Sequence, residues 1–222
     1  MRIPSGETNC VAYDKRPPGF RIFERFVDAA EQREIEHWIV SNFAWEKRRQ
    51  GSLPPAEQYP HDGPMPAWAT VLGARMVTMG VVPFPPDHVL LRRYDRGVGV
   101  EPHIDRASYG PAVAGLTLGS SRMFYLTRRR SQFEALLLPG ELYVMTGAAR
   151  YRWKHSIPAR LEDEFRGRTF VRTGGFSVTW RYLPGTRAQE EWWGRWIGPL
   201  GISKLWSCRR GEGCASAEVG YL

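Results

Sequence analysis

Cysteine is nearly missing from this chain. Cys10, Cys208 and Cys214 are odd in number and scattered, which argues against a disulfide framework and for a reducing interior. Cys208 and Cys214 have no histidine nearby and read as free thiols rather than zinc ligands. No apolar run approaches the roughly 18 residues that span a bilayer, and the opening MRIPSGETNC lacks the apolar centre of a signal peptide. Together these absences predict a soluble intracellular protein, of cytoplasm or nucleus, with no membrane partner. No internal repeat is visible. Lysine is also scarce: only Lys15, Lys47, Lys154 and Lys204 stand among 31 basic residues, the rest being arginine. The net charge of +8 favours polyanions such as nucleic acid through steering and counterion release.

What is present fits one core. A chain of 222 residues with 42% hydrophobic content supports a single domain with appendages, and a monomer is expected. Residues 1–19 are polar and end in Pro17-Pro18-Gly19, a leader. FRIFERFV reads as a strand. Asp28 and Glu31 have capping-box spacing, and the stripe Ile35, Trp38, Ile39 predicts a helix behind them. A second helix is predicted from about Pro66 to Met79, with Trp68, Val71, Leu72 and Met79 inward. Between the helices, residues 45–66 are too rich in proline and glycine for a long regular element and read as a loop, which at this length is usually a lid or binding element or else disordered. After Pro86 come many short β-type runs without helices between them. These predict a mainly β (α+β) fold, an antiparallel sandwich or barrel with the early helices packed outside. Residues 20–185 form this domain, and 186–222 a Trp-, Arg- and Gly-rich extension.

Histidine is scarce as well, so its placement carries weight. In VEPHIDRA, His103 and Asp105 share a face if the strand continues, with Ile104 turned into packing. An imidazole and a carboxylate on one face are two ligands for a divalent metal. His155, in RYRWKHSI, is the third. Two histidines and one carboxylate leave half an octahedron open, the arrangement of non-haem Fe(II) oxygenases, although zinc accepts the same ligand types. The last strand, GFSVTWRY, alternates cleanly. Phe176, Val178, Trp180 and Tyr182 form a bulky face; Ser177, Thr179 and Arg181 form a polar one that, if inward, calls for an anion. If outward, it is the wet face of an edge strand.

Three motifs in order, RRYDRGVGVEPHID, LPGELYVMTGAARYRWKHSI and FSVTWRYL, resemble the AlkB family of Fe(II)- and 2-oxoglutarate-dependent dioxygenases, and look closest to its eukaryotic-type homologues. The resemblance implies a double-stranded β-helix, or jelly roll. It also implies metal ligands and catalytic residues His103, Asp105 and His155, with Fe(II), 2-oxoglutarate and O2 as cofactor and cosubstrates. Arg181, Tyr94, Arg92, Thr179 and Ser177 would line the cosubstrate pocket. The implied reaction is oxidative demethylation of methylated DNA or RNA, releasing formaldehyde, succinate and CO2. The same chemistry on protein N-methyl-lysine, or a catalytically silent nucleic-acid-binding module, are the alternatives. The resemblance makes residues 45–66 the substrate lid, near which Arg48, Arg49 and Tyr59 are the substrate-contact candidates, with Trp68 read as core.

The sequence departs from the family in three places. The family has Arg, five residues, Arg on the last strand; here Gly175 stands six residues before Arg181, so the first Arg is missing. The family Asn two residues before the Tyr that leads into HxD is here Arg92. This predicts that Arg92 anchors the far carboxylate of 2-oxoglutarate, with Arg172 as the other choice, unless the pocket has lost its ligand. Finally, the acidic residue that repair members carry two positions after HxD is Ala107.

Overall fold

The short runs after Pro86 become strands that alternate between two sheets, so residues far apart in sequence meet across one interior. The computed structural model describes residues 11–12, 16–42, 46–50, 53–59 and 65–183, with side chains for 16–42 and 65–183. In chain order the elements are β1 (Val11–Ala12), β2 (Phe20–Phe23), α1 (Ala29–Asn42), β3 (Glu46–Gln50), β4 (Leu53–Tyr59), α2 (Ala67–Thr78) and β5 (His88–Tyr94). Then come β6 (Val100–His103), β7 (Ala112–Gly119), β8 (Arg122–Arg128), β9 (Ser131–Leu137), β10 (Leu142–Thr146) and α3 (Gly147–Arg152). β11 (Lys154–Ile157), β12 (Glu162–Phe165), β13 (Arg168–Val171) and β14 (Gly175–Arg181) complete the set.

One sheet has the order β2-β10-β7-β14-β5-β4-β3, the other β1-β9-β8-β11-β6, and β12 pairs only with β13. Every pairing is antiparallel except the short β1–β9 contact. This is the expected jelly roll. The chain divides into two compact units, 1–183 and 184–222. The second unit lies outside the described residues, and with it the expected Trp-rich extension.

Two apolar layers hold the sheets. α1 and α2 cover the outer face of the larger sheet, where Ile39, Met76, Leu116, Val178 and Trp180 are almost wholly buried. Between the sheets a second cluster contains Phe20, Phe124, Leu126, Val113 and Tyr143. α1 begins as its sequence predicts: the Asp28 carboxylate accepts from the backbone N–H groups of Ala30 and Glu31, and Glu31 accepts from the N–H of Asp28. α2 docks on β14 through the Trp180 indole N–H, which donates to the Ala69 carbonyl at 3.0 Å. Trp68 stacks edge-on against both Trp180 and Trp38.

Three local readings change. On α2 the buried face is Ala69, Leu72, Gly73 and Met76, while Val71 and Met79 are exposed; placing one stripe on a helix without its partner shifted the face by about one position. Residues 46–50 and 53–59 are paired strands rather than loop: β4 pairs with β5 and carries β3 at the sheet edge. Pro54 and Pro55 are tolerated because they fall where β4 is not paired to β5 and where its register with β3 shifts, so the ladder needs no donor from them. Finally, β6 stops at His103. Ile104 lies beyond it and is exposed rather than packed.

Candidate active site

Strand register brings the two histidines together. His103 at the end of β6 pairs directly with His155 on β11, and their rings lie 4.2 Å apart between centroids. Asp105 comes in the turn after β6, with Oδ1 3.7 Å from His103 Nε2. One ligand atom from each of His103, Asp105 and His155 lies within 4.8 Å of the others. His155 and Asp105 are buried, and His103 is half-buried.

The turn that carries Asp105 is held from α3. Arg150, itself buried, donates to the carbonyl of Asp105 at 2.8 Å and to that of Arg106 at 2.6 Å. Tyr151 donates its hydroxyl to the Gly110 carbonyl at 3.1 Å. The MTGAARYRWKH segment therefore supplies His155 and also fixes the loop bearing a second member of the cluster.

The donor set fits a divalent cation. His103 Nδ1 lies 2.8 Å from the Glu101 carbonyl. A carbonyl only accepts, so Nδ1 carries the proton, which leaves Nε2, on the side of Asp105, as the ring atom available to ligate a metal. Asp105 Oδ1 accepts from Arg181 Nη2 at 3.0 Å, whereas Oδ2 is buried and accepts nothing among the described residues. Burial alone would raise the pKa of Asp105. Its pairing with His103 and the charge of Arg181 outweigh that, holding the carboxyl well below the usual range. Burial, and then the neighbouring His103, push the His155 imidazole down to about 3. His155 is thus neutral at physiological pH, the state a ligand requires.

Beside the cluster a narrow cleft opens between the sheets. The five residues that the resemblance assigned to the cosubstrate all reach it: Arg92 and Tyr94 from β5, and Ser177, Thr179 and Arg181 from β14. β14 is central in its sheet, between β7 and β5, so its polar face is interior. Arg48 and Arg49 lie on β3 and Tyr59 on β4, but their side chains are outside the described residues. Arg172 is engaged elsewhere: it donates to both carboxylate oxygens of Asp163 and to the Pro158 carbonyl.

Sequence reasoning passed over Arg122, Thr117 and Tyr143, which also line the cleft. For Arg122 a signal existed, since Arg122, Phe124 and Leu126 share one face of β8, and that face is the inter-sheet core. Arg150 offered no such signal, because its role depends on a turn far away in sequence.

Comparison with known proteins accords with this geometry. The profile of the 2OG-Fe(II) oxygenase superfamily matches residues 29–181. The tRNA (carboxymethyluridine(34)-5-O)-methyltransferase alkbh8 of Xenopus tropicalis is 25% identical over 165 residues, covering 66% of this chain but 26% of that protein. The mitochondrial alpha-ketoglutarate-dependent dioxygenase alkB homolog 7 of Mus musculus is 40% identical over 72 residues, 31% of this chain and 32% of that one. The chain thus spans a third or less of either relative. The solved structure of OsALKBH1 superposes with a TM-score of 0.58 at 15% identity, covering 74% of this chain and 98% of that one, a likeness of fold. The chain belongs to the 2OG-Fe(II) oxygenase superfamily and is an AlkB-like dioxygenase that works with Fe(II), 2-oxoglutarate and O2.

Proposed function

We propose that this chain removes N-methyl groups from a methylated nucleic acid, DNA or RNA, with Fe(II) held by His103, Asp105 and His155. The observation that carries the reading is the convergence of those three donors, within 4.8 Å, beside a cleft walled by arginine side chains and hydroxyls. When bound, the iron and 2-oxoglutarate would let O2 act as the oxidant: one oxygen atom would go to the keto acid, giving succinate and CO2, and the other to the N-methyl group, whose N-hydroxymethyl product leaves as formaldehyde.

The rest falls to the protein. Arg181 ties Asp105 in place through one nitrogen while its Nε, buried and unpartnered among the described residues, is left to receive an anion. Arg150 fixes the HxD turn. Ser177 and Thr179 offer hydroxyls on the same wall. The apolar inter-sheet residues behind them exclude water from the reacting end.

A nucleic-acid substrate is supported by the charge of +8. Exposed Arg106 lies next to Asp105, exposed Arg152 lies three residues before His155, and Arg128, Arg129 and Arg130 are exposed at the β8–β9 turn. A relative whose name specifies a tRNA nucleoside supports it too. The test is formaldehyde release, with Fe(II), 2-oxoglutarate and ascorbate, from methylated RNA and DNA oligonucleotides against methyl-lysine peptides. Release from an oligonucleotide alone is expected. Release from the peptides alone would overturn the nucleic-acid assignment while leaving the oxygenase intact.

A further inference from the structure

The place left empty by Gly175 is filled from another strand. Gly175 opens β14 opposite Gly119 of β7 and Tyr94 of β5. A Cβ built on it would overlap the Leu118 carbonyl oxygen and stand 3.1 Å from Arg122 Nη2, at a φ of +153°. No side chain fits there without moving backbone, and besides the Leu118 and Ser120 backbone the nearest atom to the vacant position is a guanidinium nitrogen of Arg122. Arg122 starts β8 immediately after the β7–β8 turn and is 3% exposed.

Its fixing is unusual for a buried cation. Nη2 donates to the carbonyls of Leu118 at 3.0 Å and Ser120 at 3.2 Å, and Nε donates weakly to Ser120 at 3.3 Å. The guanidinium lies over the Tyr94 ring at 4.5 Å. Among the described residues no salt bridge joins it to a carboxylate, and Nη1 is buried without any hydrogen-bond partner. An unpaired buried guanidinium costs several kcal/mol in general. Burial lowers its pKa to about 10, which still leaves it charged at neutral pH. The charge, held rigidly by backbone and lining the same cleft as His103 and His155, lacks its anion.

We infer that Arg122 receives the far carboxylate of the five-carbon keto diacid, taking over from β8 the task that the family assigns to an arginine at the Gly175 position. The inference rests on the dioxygenase reading and replaces the expectation for Arg92. Arg92 and Arg181 remain on the wall nearer the middle and far end of β14, since Arg92 pairs with Ser177. Arg172 does not compete, being bound to Asp163.

The test separates the two ends of the cosubstrate. With Mn(II) in place of iron, calorimetry compares binding of 2-oxoglutarate with that of 2-oxobutyrate, which has the same chelating end but no second carboxylate. Arg122→Met is expected to weaken 2-oxoglutarate at least 10-fold and leave 2-oxobutyrate and Mn(II) binding unchanged. Arg122→Lys should keep part of the preference. Added guanidinium should restore part of it to Arg122→Ala, which a merely structural role would not allow. Arg92→Ala should retain the preference. If Arg122→Met keeps the wild-type ratio of affinities, or if Arg92→Ala alone abolishes it, the assignment is wrong. A wild-type protein that binds Mn(II) but neither acid would overturn the cosubstrate reading itself, an outcome distinct from either of these.

Discussion

Arg150 shows how much a single side chain can set. Its guanidinium fork spans the carbonyls of Asp105 and Arg106, so the carboxylate is aimed by a residue that never touches it. Lysine carries its donors on a single nitrogen at the end of a flexible stem and lacks the rigid fork that reaches the two carbonyls from two nitrogens. Arg150→Lys is therefore expected to raise the Mn(II) dissociation constant about 10-fold or more, as loss of an outer support does at other metal sites. Unchanged melting alongside weakened metal binding would mark this as positioning. An unchanged metal titration would show that the turn holds itself. Asp105 is likewise set by its surroundings: desolvation works against its charge, and His103 and Arg181 restore it.

Among elements, the join between the β12–β13 hairpin and β8 is polar rather than apolar. Asp163 on β12 is fully buried, accepts from Arg172 and Arg160, and also accepts the backbone N–H of Met123 at 3.1 Å. Burial opposes its ionised form, yet Arg172 and the other donors hold its pKa below the usual carboxylate value. A depressed folded-state pKa stabilises above the unfolded value of about 3.9, and that stability is lost as pH falls through the folded value. Asp163→Asn strands Arg172 and should cost about 3 to 5 kcal/mol at pH 7. In urea unfolding the gap from wild type should hold from pH 7 to 5 and narrow below about pH 4. A gap independent of pH down to 3 would mean that the charge contributes nothing.

At this scale it is also clear what the sequence could reveal. The capping box, the two faces of β14 and the succession of short strands all arise from local chemistry, and each appears where periodicity puts it. The cluster was legible because His103 and Asp105 are neighbours and His155 lies in a distinctive segment. Arg122 was not. Its meaning comes from the pairing of Gly175 with Gly119, a contact between strands more than fifty residues apart, and alternation on one strand carries no register with another. The exposure of Ile104 escaped for a similar reason: the strand stops at His103, so alternation no longer governs the residues beyond it.

For the molecule as a whole, division of labour comes from the layers. Helices and tryptophans cover one face of the larger sheet, and the inter-sheet space is left to chemistry. Among the described residues, no helix is long and apolar enough to cross a membrane. The excess positive charge has a consequence that is easily measured. If nucleic acid is the substrate, its affinity should fall with added salt along a line in log–log form, with a slope of roughly 0.7 to 0.9 per phosphate contact. Arg128→Ala and Arg130→Ala should shallow that slope without altering Mn(II) binding. Affinity insensitive to salt would exclude a phosphate-dominated interface.

The most direct measurement is an equilibrium titration of metal-free protein with Mn(II), monitored by electron paramagnetic resonance and by water-proton relaxation. One ion should bind per chain, with exchangeable water on it that 2-oxoglutarate displaces, and binding should fail in His103→Ala and His155→Ala. A folded protein that takes up no ion, or one whose ion stays bound after both imidazoles are removed, would contradict the account.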